Sequence, residues 1–153
     1  MPHFGYSFQG YNPLIHARAS AREIAVSPKA AREVCREIKN LSIPKAKTLL
    51  GQVISQRSAI PFRRHQHKVG HRSEIFKFHA GRYPKKAAID ILTLIGNLEA
   101  NAEFKGLDIE KLFILHAAVS RGRVIKGYTP RAFGRTSPSF NTLIHIELVG
   151  KEI

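Results

Sequence analysis

The chain has few acidic residues, and this shortage indicates the kind of partner that it needs. Its 11 Asp and Glu stand against 25 Lys and Arg, which gives a formal net charge of +14 at pH 7 and a pI near 10.4. Such an excess of positive charge predicts a polyanionic partner, most often nucleic acid. No long amphipathic helix carries Lys and Arg opposite a large apolar face, which argues against a membrane surface as that partner.

Cysteine and long apolar runs are also scarce. The single cysteine, Cys35, excludes an intramolecular disulfide and indicates a reducing compartment. It falls at helical spacing with Val34 and Ile38, which predicts a buried small side chain rather than a nucleophile. No apolar stretch approaches the roughly 20 residues of a membrane-spanning helix, and the amino terminus does not resemble a secretory signal. We therefore expect a soluble intracellular protein.

Three helices are predicted from their start signals and apolar spacing. The chain of 153 residues, 43% of them hydrophobic, fits one domain at residues 1–153 with a proper core. Ser27 followed by Pro28 predicts a helix start, because serine caps helices and proline is tolerated in the first turn. Pro44 opens a second helix, and Pro84 opens the longest one.

Strands are predicted on both sides of these helices. Alternating residues indicate a first strand at Ala19 to Val26 and a last one at Thr142 to Leu148, while Leu112 to Val119 is nearly all apolar. We therefore predict an α+β fold, in which a three-stranded antiparallel sheet packs on three helices and a long β-hairpin protrudes. Residues 1–18, rich in glycine and aromatic residues, are expected to form an extended arm that either packs on the domain or stacks on RNA.

Residues 59–83 form a predicted basic insertion loop with one acid, Glu74, and four histidines. The histidine spacing matches no usual zinc-ligand pattern, so we predict no metal site and assign the segment to phosphate and base contacts. A solvated loop is the alternative. Lys85 and Lys86 oppose the dipole of the following helix, which favours a nearby anion. The candidate RNA-binding residues here are Arg63, Arg64, His65, Lys68, His71, Arg72, Arg82, Lys85 and Lys86.

The predicted hairpin at residues 119–142 is the most unusual segment. No Asp or Glu occurs between Lys111 and Ile146, so a hairpin there needs an anionic surrounding. Arms of about 12 residues at roughly 3.3 Å per residue would reach about 40 Å, beyond so small a body. Aromatic residues interleaved with arginines favour stacking on RNA bases over a solvated basic loop. Its candidate RNA-binding residues are Arg121, Arg123, Lys126, Arg131 and Arg135.

Three motifs carry a resemblance to a known family. PFRRHQHKVGHRS (61–73), AGRYPKKA (80–87) and above all PRAFGR (130–135) resemble the large-subunit ribosomal protein family numbered twenty-two. The similarity spans Ala19 to Val149, and the long insertion resembles archaeal and eukaryotic cytosolic members. Bacterial members carry a basic run before the last strand that is absent here, so the return arm after Arg135 is expected to make few phosphate contacts.

The resemblance implies a structural constituent of the large ribosomal subunit with no catalytic role. Such a protein would bind large-subunit rRNA, support its assembly and line the nascent-polypeptide exit tunnel with its hairpin. Its expected partners are this rRNA, neighbouring large-subunit proteins and the nascent polypeptide, without cofactor, small-molecule substrate or membrane, in the cytoplasm. The tunnel-lining residues implied are Thr129, Pro130, Arg131, Ala132, Phe133, Gly134 and Arg135.

Two other functions fit the composition. One is a free-standing RNA-binding regulator or RNA chaperone outside the ribosome, which only the tip motif and the extent of the resemblance disfavour. The other is a histidine-based nuclease using His65, His67 or His71. Acid–base catalysis requires a positioned pair of groups, and these histidines have no paired carboxylate in the sequence pattern.

Overall fold

Two long antiparallel strands form the largest element of the structure, a computed structural model that describes residues 5–153. The elements in chain order are β1 (His16–Ile24), α1 (Pro28–Ile38), α2 (Ile43–Ile54), β2 (Ile60–Pro61), β3 (Gly81–Arg82), α3 (Lys85–Phe104), β4 (Leu112–Pro130) and β5 (Thr136–Glu152). The main sheet has the antiparallel order β1-β5-β4. The predicted α+β fold with a protruding hairpin is confirmed.

The core lies between this sheet and the three helices. Along β5, Ile144, Ile146 and Leu148 are fully buried and alternate with partly buried polar residues, so one face of the strand points to the helices. Helix α1 packs against β4, α3 against β1, and α2 against α3. Cys35 is buried in the same core, as predicted.

The start signals predicted where the helices begin, although Ser27 makes no side-chain capping hydrogen bond. Pro28 is the first residue of α1, and Pro44 is the second of α2. Gly106 takes φ of +74° just after α3, the left-handed conformation in which glycine commonly ends a helix. The first strand begins three residues earlier than predicted, because His16 and Ala17 already pair with Lys151 and Gly150 of β5.

The insertion is more ordered than the predicted loop. Strands β2 and β3 pair with each other, and the amide of Phe62 donates to the carbonyl of Ala80 at 2.9 Å. Glu33 of α1 is only 1% exposed, although its side chain is charged. Its carboxylate accepts a hydrogen bond from the amide of Arg64 at 3.0 Å. The buried carboxylate thus anchors the insertion to α1.

The amino-terminal segment packs on the face of the sheet turned away from the helices. The amide of Ser7 donates to both carboxylate oxygens of Glu147, at 3.0 and 3.2 Å. The ring of Phe8 lies 5.6 Å, centre to centre, from the imidazoles of both His16 and His116. The predicted arm spans residues 1–18, of which residues 1–4 lie outside the described residues and His16–Arg18 belong to β1.

Replacing the buried carboxylate tests the anchor. In Glu33→Ala the amide of Arg64 loses its acceptor, so we expect the free energy of unfolding to fall by about 1–3 kcal/mol. Glu37→Ala is the matched control, since Glu37 makes only a part-exposed ion pair with Arg63 at 3.4 Å and should cost about 0–1 kcal/mol. Urea unfolding measures both. Equal losses in the two variants would contradict the anchoring role.

Acidification should destabilise the protein in two steps. Burial and the positive charge of Lys151 lower the pKa of His16 from 6.5. Burial raises the pKa of Glu147, but hydrogen bonds from Ser7 and His116 outweigh it and leave this pKa below 4.5. Both groups therefore bind protons more readily in the unfolded chain, so each contribution to stability is lost as the pH falls through the folded-state pKa.

The two steps can be separated by unfolding the protein in urea across this pH range. We expect stability to fall below pH 6.5 as the His16 contribution is lost, and again below pH 4.5 as that of Glu147 is lost. His16→Gln should abolish the first loss and keep the second. A variant that retains the first loss would assign it to another group.

Candidate nucleic-acid interface

Basic side chains from three parts of the chain meet where the hairpin leaves the domain. A small cleft of about 120 Å³, the hairpin-root cleft, is lined by Pro28, Lys29, Arg32, His65, Val119 and Arg121. It joins α1, the insertion and β4, which are far apart in sequence. Two of the predicted RNA-binding residues, His65 and Arg121, thereby come together with two basic residues of α1.

Helix α1 carries a basic stripe that the sequence reading missed. Lys29, Arg32, Arg36 and Lys39 are all exposed. The last three border a concavity of about 420 Å³ beside Ala117–Val119 of β4. None of the four is among the predicted RNA-binding residues. Their spacing of three, four and three residues places them on one helical face, and this regular spacing was the available signal.

The insertion forms a larger cleft of about 440 Å³, here called the insertion cleft. The described residues that line it are Ser27, Lys29, Ala30, Phe62, Arg64, His65, His67, Arg82, Tyr83 and Pro84. Three of these, Arg64, His65 and Arg82, were predicted to bind RNA. The guanidinium of Arg82 lies 5.8 Å from the ring centre of Phe62, within the range of a cation–π contact.

The other predicted residues of the insertion are dispersed. Arg63 pairs with Glu37 and also lies 5.5 Å from the ring of Phe78, so its charge is partly balanced within the protein. Arg72 lies over the ring of Tyr83 at 5.0 Å, and the rings of His71 and His79 are 4.8 Å apart. Lys68 is exposed in the turn between β2 and β3.

Lys85 and Lys86 are exposed in the first turn of α3, which contains no acidic residue and has no side-chain cap. Both line a shallow cleft together with Tyr83 and Gln56. The free backbone N–H groups of that turn and the two ammonium groups favour an anion at the same place. The local charge conflict noted in the sequence therefore persists in the structure.

The hairpin has two chemically different faces. Strands β4 and β5 pair without interruption from Val124–Thr142 to Pro130–Thr136. Directly paired residues share a face, so one face carries the exposed side chains of Val124, Lys126, Tyr128 and Phe140. The other face carries the exposed side chain of Ile125 and otherwise small or polar residues, namely Gly127, Thr129, Ser137, Ser139 and Asn141.

Gly127 is required by the close pairing of the arms. A Cβ at this position would lie 2.8 Å from the carbonyl oxygen of Ser139. On the opposite face, the rings of Tyr128 and Phe140 make an edge-to-face contact at 5.9 Å. The hairpin therefore has one face that is narrow at Gly127 and one aromatic face that carries Tyr128 and Phe140.

The tip is closed by its own backbone and presents one large ring. The amide of Arg131 donates to the carbonyl of Arg135 at 2.8 Å, and the guanidinium of Arg131 donates to Ser137 at 3.2 Å. Phe133 takes φ of +58°, unusual for a residue other than glycine, and its side chain is 93% exposed. The predicted tunnel-lining residues, 129–135, are all exposed.

Neither a metal site nor a membrane span is found in residues 5–153. No group of three His, Cys, Asp or Glu side chains in that range could hold a metal ion. No helix there is long and apolar enough to cross a membrane.

Comparison with known proteins identifies the family. The family model described as "Ribosomal protein L22p/L17e" matches residues 19–151. The chain belongs to this family. The protein named "Large ribosomal subunit protein uL22" in Cenarchaeum symbiosum is 47% identical over 152 residues, and the alignment covers 99% of this chain and 99% of that relative. The protein of the same name in Archaeoglobus fulgidus is 46% identical over 151 residues, and the alignment covers 99% of this chain and 97% of that relative.

A third relative with the same name, from Nitrosopumilus maritimus, is 45% identical over 153 residues and covers both chains completely. All three relatives are archaeal, and the predicted family resemblance is confirmed. Proteins of this ribosomal family are structural rather than enzymatic, which confirms the prediction that the chain is not an enzyme. The histidines of the insertion therefore need an explanation other than catalysis.

Replacing Arg121 in the hairpin-root cleft tests whether this side chain binds phosphate. Arg121→Ala removes one exposed cation, so the slope of log affinity against log salt for duplex RNA should decrease by roughly 0.9 or less. The control is Lys45→Ala, because Lys45 is exposed on α2 away from the described clefts. Titrations at several salt concentrations measure the slope. An unchanged slope in Arg121→Ala would place that side chain in water.

Proposed function

We propose that this protein is a structural constituent of the large ribosomal subunit that binds large-subunit rRNA, supports its assembly and lines the exit tunnel with its hairpin. Family membership supports the first part, since the relatives are named as large ribosomal subunit proteins and match over nearly their whole length. The protein acts in the cytoplasm as part of the ribosome.

The arrangement of charge supports the binding of rRNA. All but one of the 14 predicted RNA-binding side chains are exposed, His65 being partly buried. Residues from α1, the insertion and β4 meet at the hairpin-root cleft. Cations from several elements beside one another match an RNA backbone, in which phosphates follow at regular intervals. A protein that binds RNA segments on several faces of one domain holds those segments together, and in this way it would support assembly of the subunit.

The hairpin is the single observation on which the tunnel-lining role depends. Its outer arms are exposed on both faces and contain no carboxylate, so they gain little from the domain itself. We assign the aromatic face, with Tyr128 and Phe140, to stacking on RNA bases. The narrow face, with Gly127 and Ser139, is then left to border the lumen through which a nascent polypeptide passes.

Fractionation of cell extracts on sucrose gradients tests the ribosomal assignment. A tagged copy of the protein should co-sediment with large subunits at moderate salt. Removing residues 119–142 should reduce incorporation, because the hairpin supplies Arg121, Arg123, Lys126, Arg131 and Arg135. A protein found only in light fractions would instead be a free-standing RNA-binding regulator or chaperone.

A photoreactive amino acid at Phe133 tests the tunnel-lining role. In ribosomes stalled on a nascent chain, we expect cross-links from this position to the nascent polypeptide. Phe104 provides a matched control, because its side chain is also 93% exposed but lies at the end of α3 on the domain. Equal cross-linking to nascent chain from the two positions, or none from Phe133, would contradict the assignment.

A further inference from the structure

We propose that the insertion cleft binds one unpaired nucleotide of the RNA, with its base against the ring of Tyr83 and its phosphates near Lys29 and Arg64. This inference rests on the proposed RNA-binding function and specifies how one part of the surface recognises RNA. The cleft and the hairpin would then bind RNA differently: the cleft takes a single nucleotide, whereas the exposed cations of the hairpin suit successive phosphates along an RNA backbone.

The shape of the cleft favours an extruded nucleotide over a helical backbone. Its volume of about 440 Å³ falls within the roughly 300–1,000 Å³ of pockets that enclose small ligands. The phosphates of a double helix lie on ridges and contact a surface without filling a concavity of this size. Recognition of unpaired RNA, by contrast, commonly places a splayed base into a site lined by aromatic and cationic side chains.

The two aromatic rings are fixed before any ligand arrives. Phe62 is only 4% exposed and forms part of the wall, with the guanidinium of Arg82 near its ring. The hydroxyl of Tyr83 donates to Glu74 at 2.7 and 2.8 Å, and Arg72 lies over its ring. Phe62 therefore serves as buried support, and a base that enters the cleft meets the ring of Tyr83, which loses little conformational freedom on binding.

The charges in the cleft suit the phosphates on either side of such a base. No acidic residue is among the described residues that line it. Within residues 5–153, neither Lys29 nor Arg64 has a carboxylate at ion-pair distance, unlike Arg63. The backbone of Arg64 is held by the buried carboxylate of Glu33. The imidazoles of His65 and His67 supply further hydrogen-bonding groups for phosphate or base.

The experiment compares binding of the full chain to single-stranded oligoadenylate and to an RNA duplex of the same length. Tyr83→Leu should weaken single-strand binding at least about fivefold, because base–aromatic stacking is lost, and should leave duplex binding within twofold. Tyr83→Phe is the matched control that keeps the ring and loses only the hydroxyl. Because Tyr83→Phe keeps the stacking surface and loses only the hydrogen bond to Glu74, it should bind single-stranded RNA more tightly than Tyr83→Leu does and the duplex as the unchanged protein does.

A second pair of variants tests the phosphate contact. Lys29→Ala should reduce the salt slope for single-stranded RNA by about 0.7, whereas Lys45→Ala should leave it unchanged. Circular dichroism and urea unfolding of each variant separate loss of binding from loss of folding. A slope that does not change in Lys29→Ala would overturn the assignment of its charge to the nucleotide.

Three further outcomes would overturn the proposal. In the first, Tyr83→Leu binds each probe with the same affinity as Tyr83→Phe. In the second, Tyr83→Leu weakens duplex binding as much as single-strand binding. In the third, free AMP binds more tightly than oligoadenylate, which would make the cleft a mononucleotide site. If the unchanged protein still co-sediments with large subunits, the proposed function stands without the cleft; if it does not, both fall.

Discussion

The pairing of β4 with β5 is the constraint on which the rest of the structure depends. At one end the two strands contribute Ile114, Ile146 and Leu148 to the core, and burial of such side chains stabilises a fold by roughly 1.5–3 kcal/mol each. At the other end the same hydrogen-bonded ladder continues into the exposed hairpin. A two-stranded hairpin alone is marginal in water, so its outer half depends on a register fixed in the core.

The few acidic residues help to hold the basic elements in place. Glu33 holds the amide of Arg64, Glu37 pairs with Arg63, and Glu147 binds the amino-terminal segment through Ser7. Glu23 pairs with Arg123 at the base of the hairpin. Several carboxylates therefore act inside the fold, while most of the excess positive charge remains on the outside. This division lets a domain with a net charge of +14 keep its shape and still attract a polyanion.

The proposed RNA interface combines two kinds of basic surface. Exposed cations on the hairpin and along α1 suit phosphates of an RNA backbone, and such contacts position a protein without reading sequence. The insertion cleft adds a concave site with fixed rings. A rigid domain with both kinds of surface is suited to hold a helical RNA segment and an unpaired nucleotide at the same time. This combination suits a protein that binds a large folded RNA.

The sequence by itself determined the fold class, the helix boundaries and the acid-free hairpin. Those features depend on local signals: the prolines at Pro28 and Pro44, the glycine after α3, and the alternation of apolar residues along β5. It also carried the family motif at residues 130–135. The resemblance spans nearly the whole chain, so the sequence alone is sufficient to recognise the family.

Only the tertiary structure decided which basic residues lie together. Helical periodicity places Glu33 beside polar residues of α1 and gives no reason for its burial. The buried carboxylate is favourable only because the packed insertion supplies the amide of Arg64 as a hydrogen-bond donor. The insertion cleft likewise joins Lys29 to Arg82, and the hairpin-root cleft joins Lys29 to Arg121. Such residues are distant in the chain, and their proximity arises from the packing of separate elements on a common core, which no local pattern encodes.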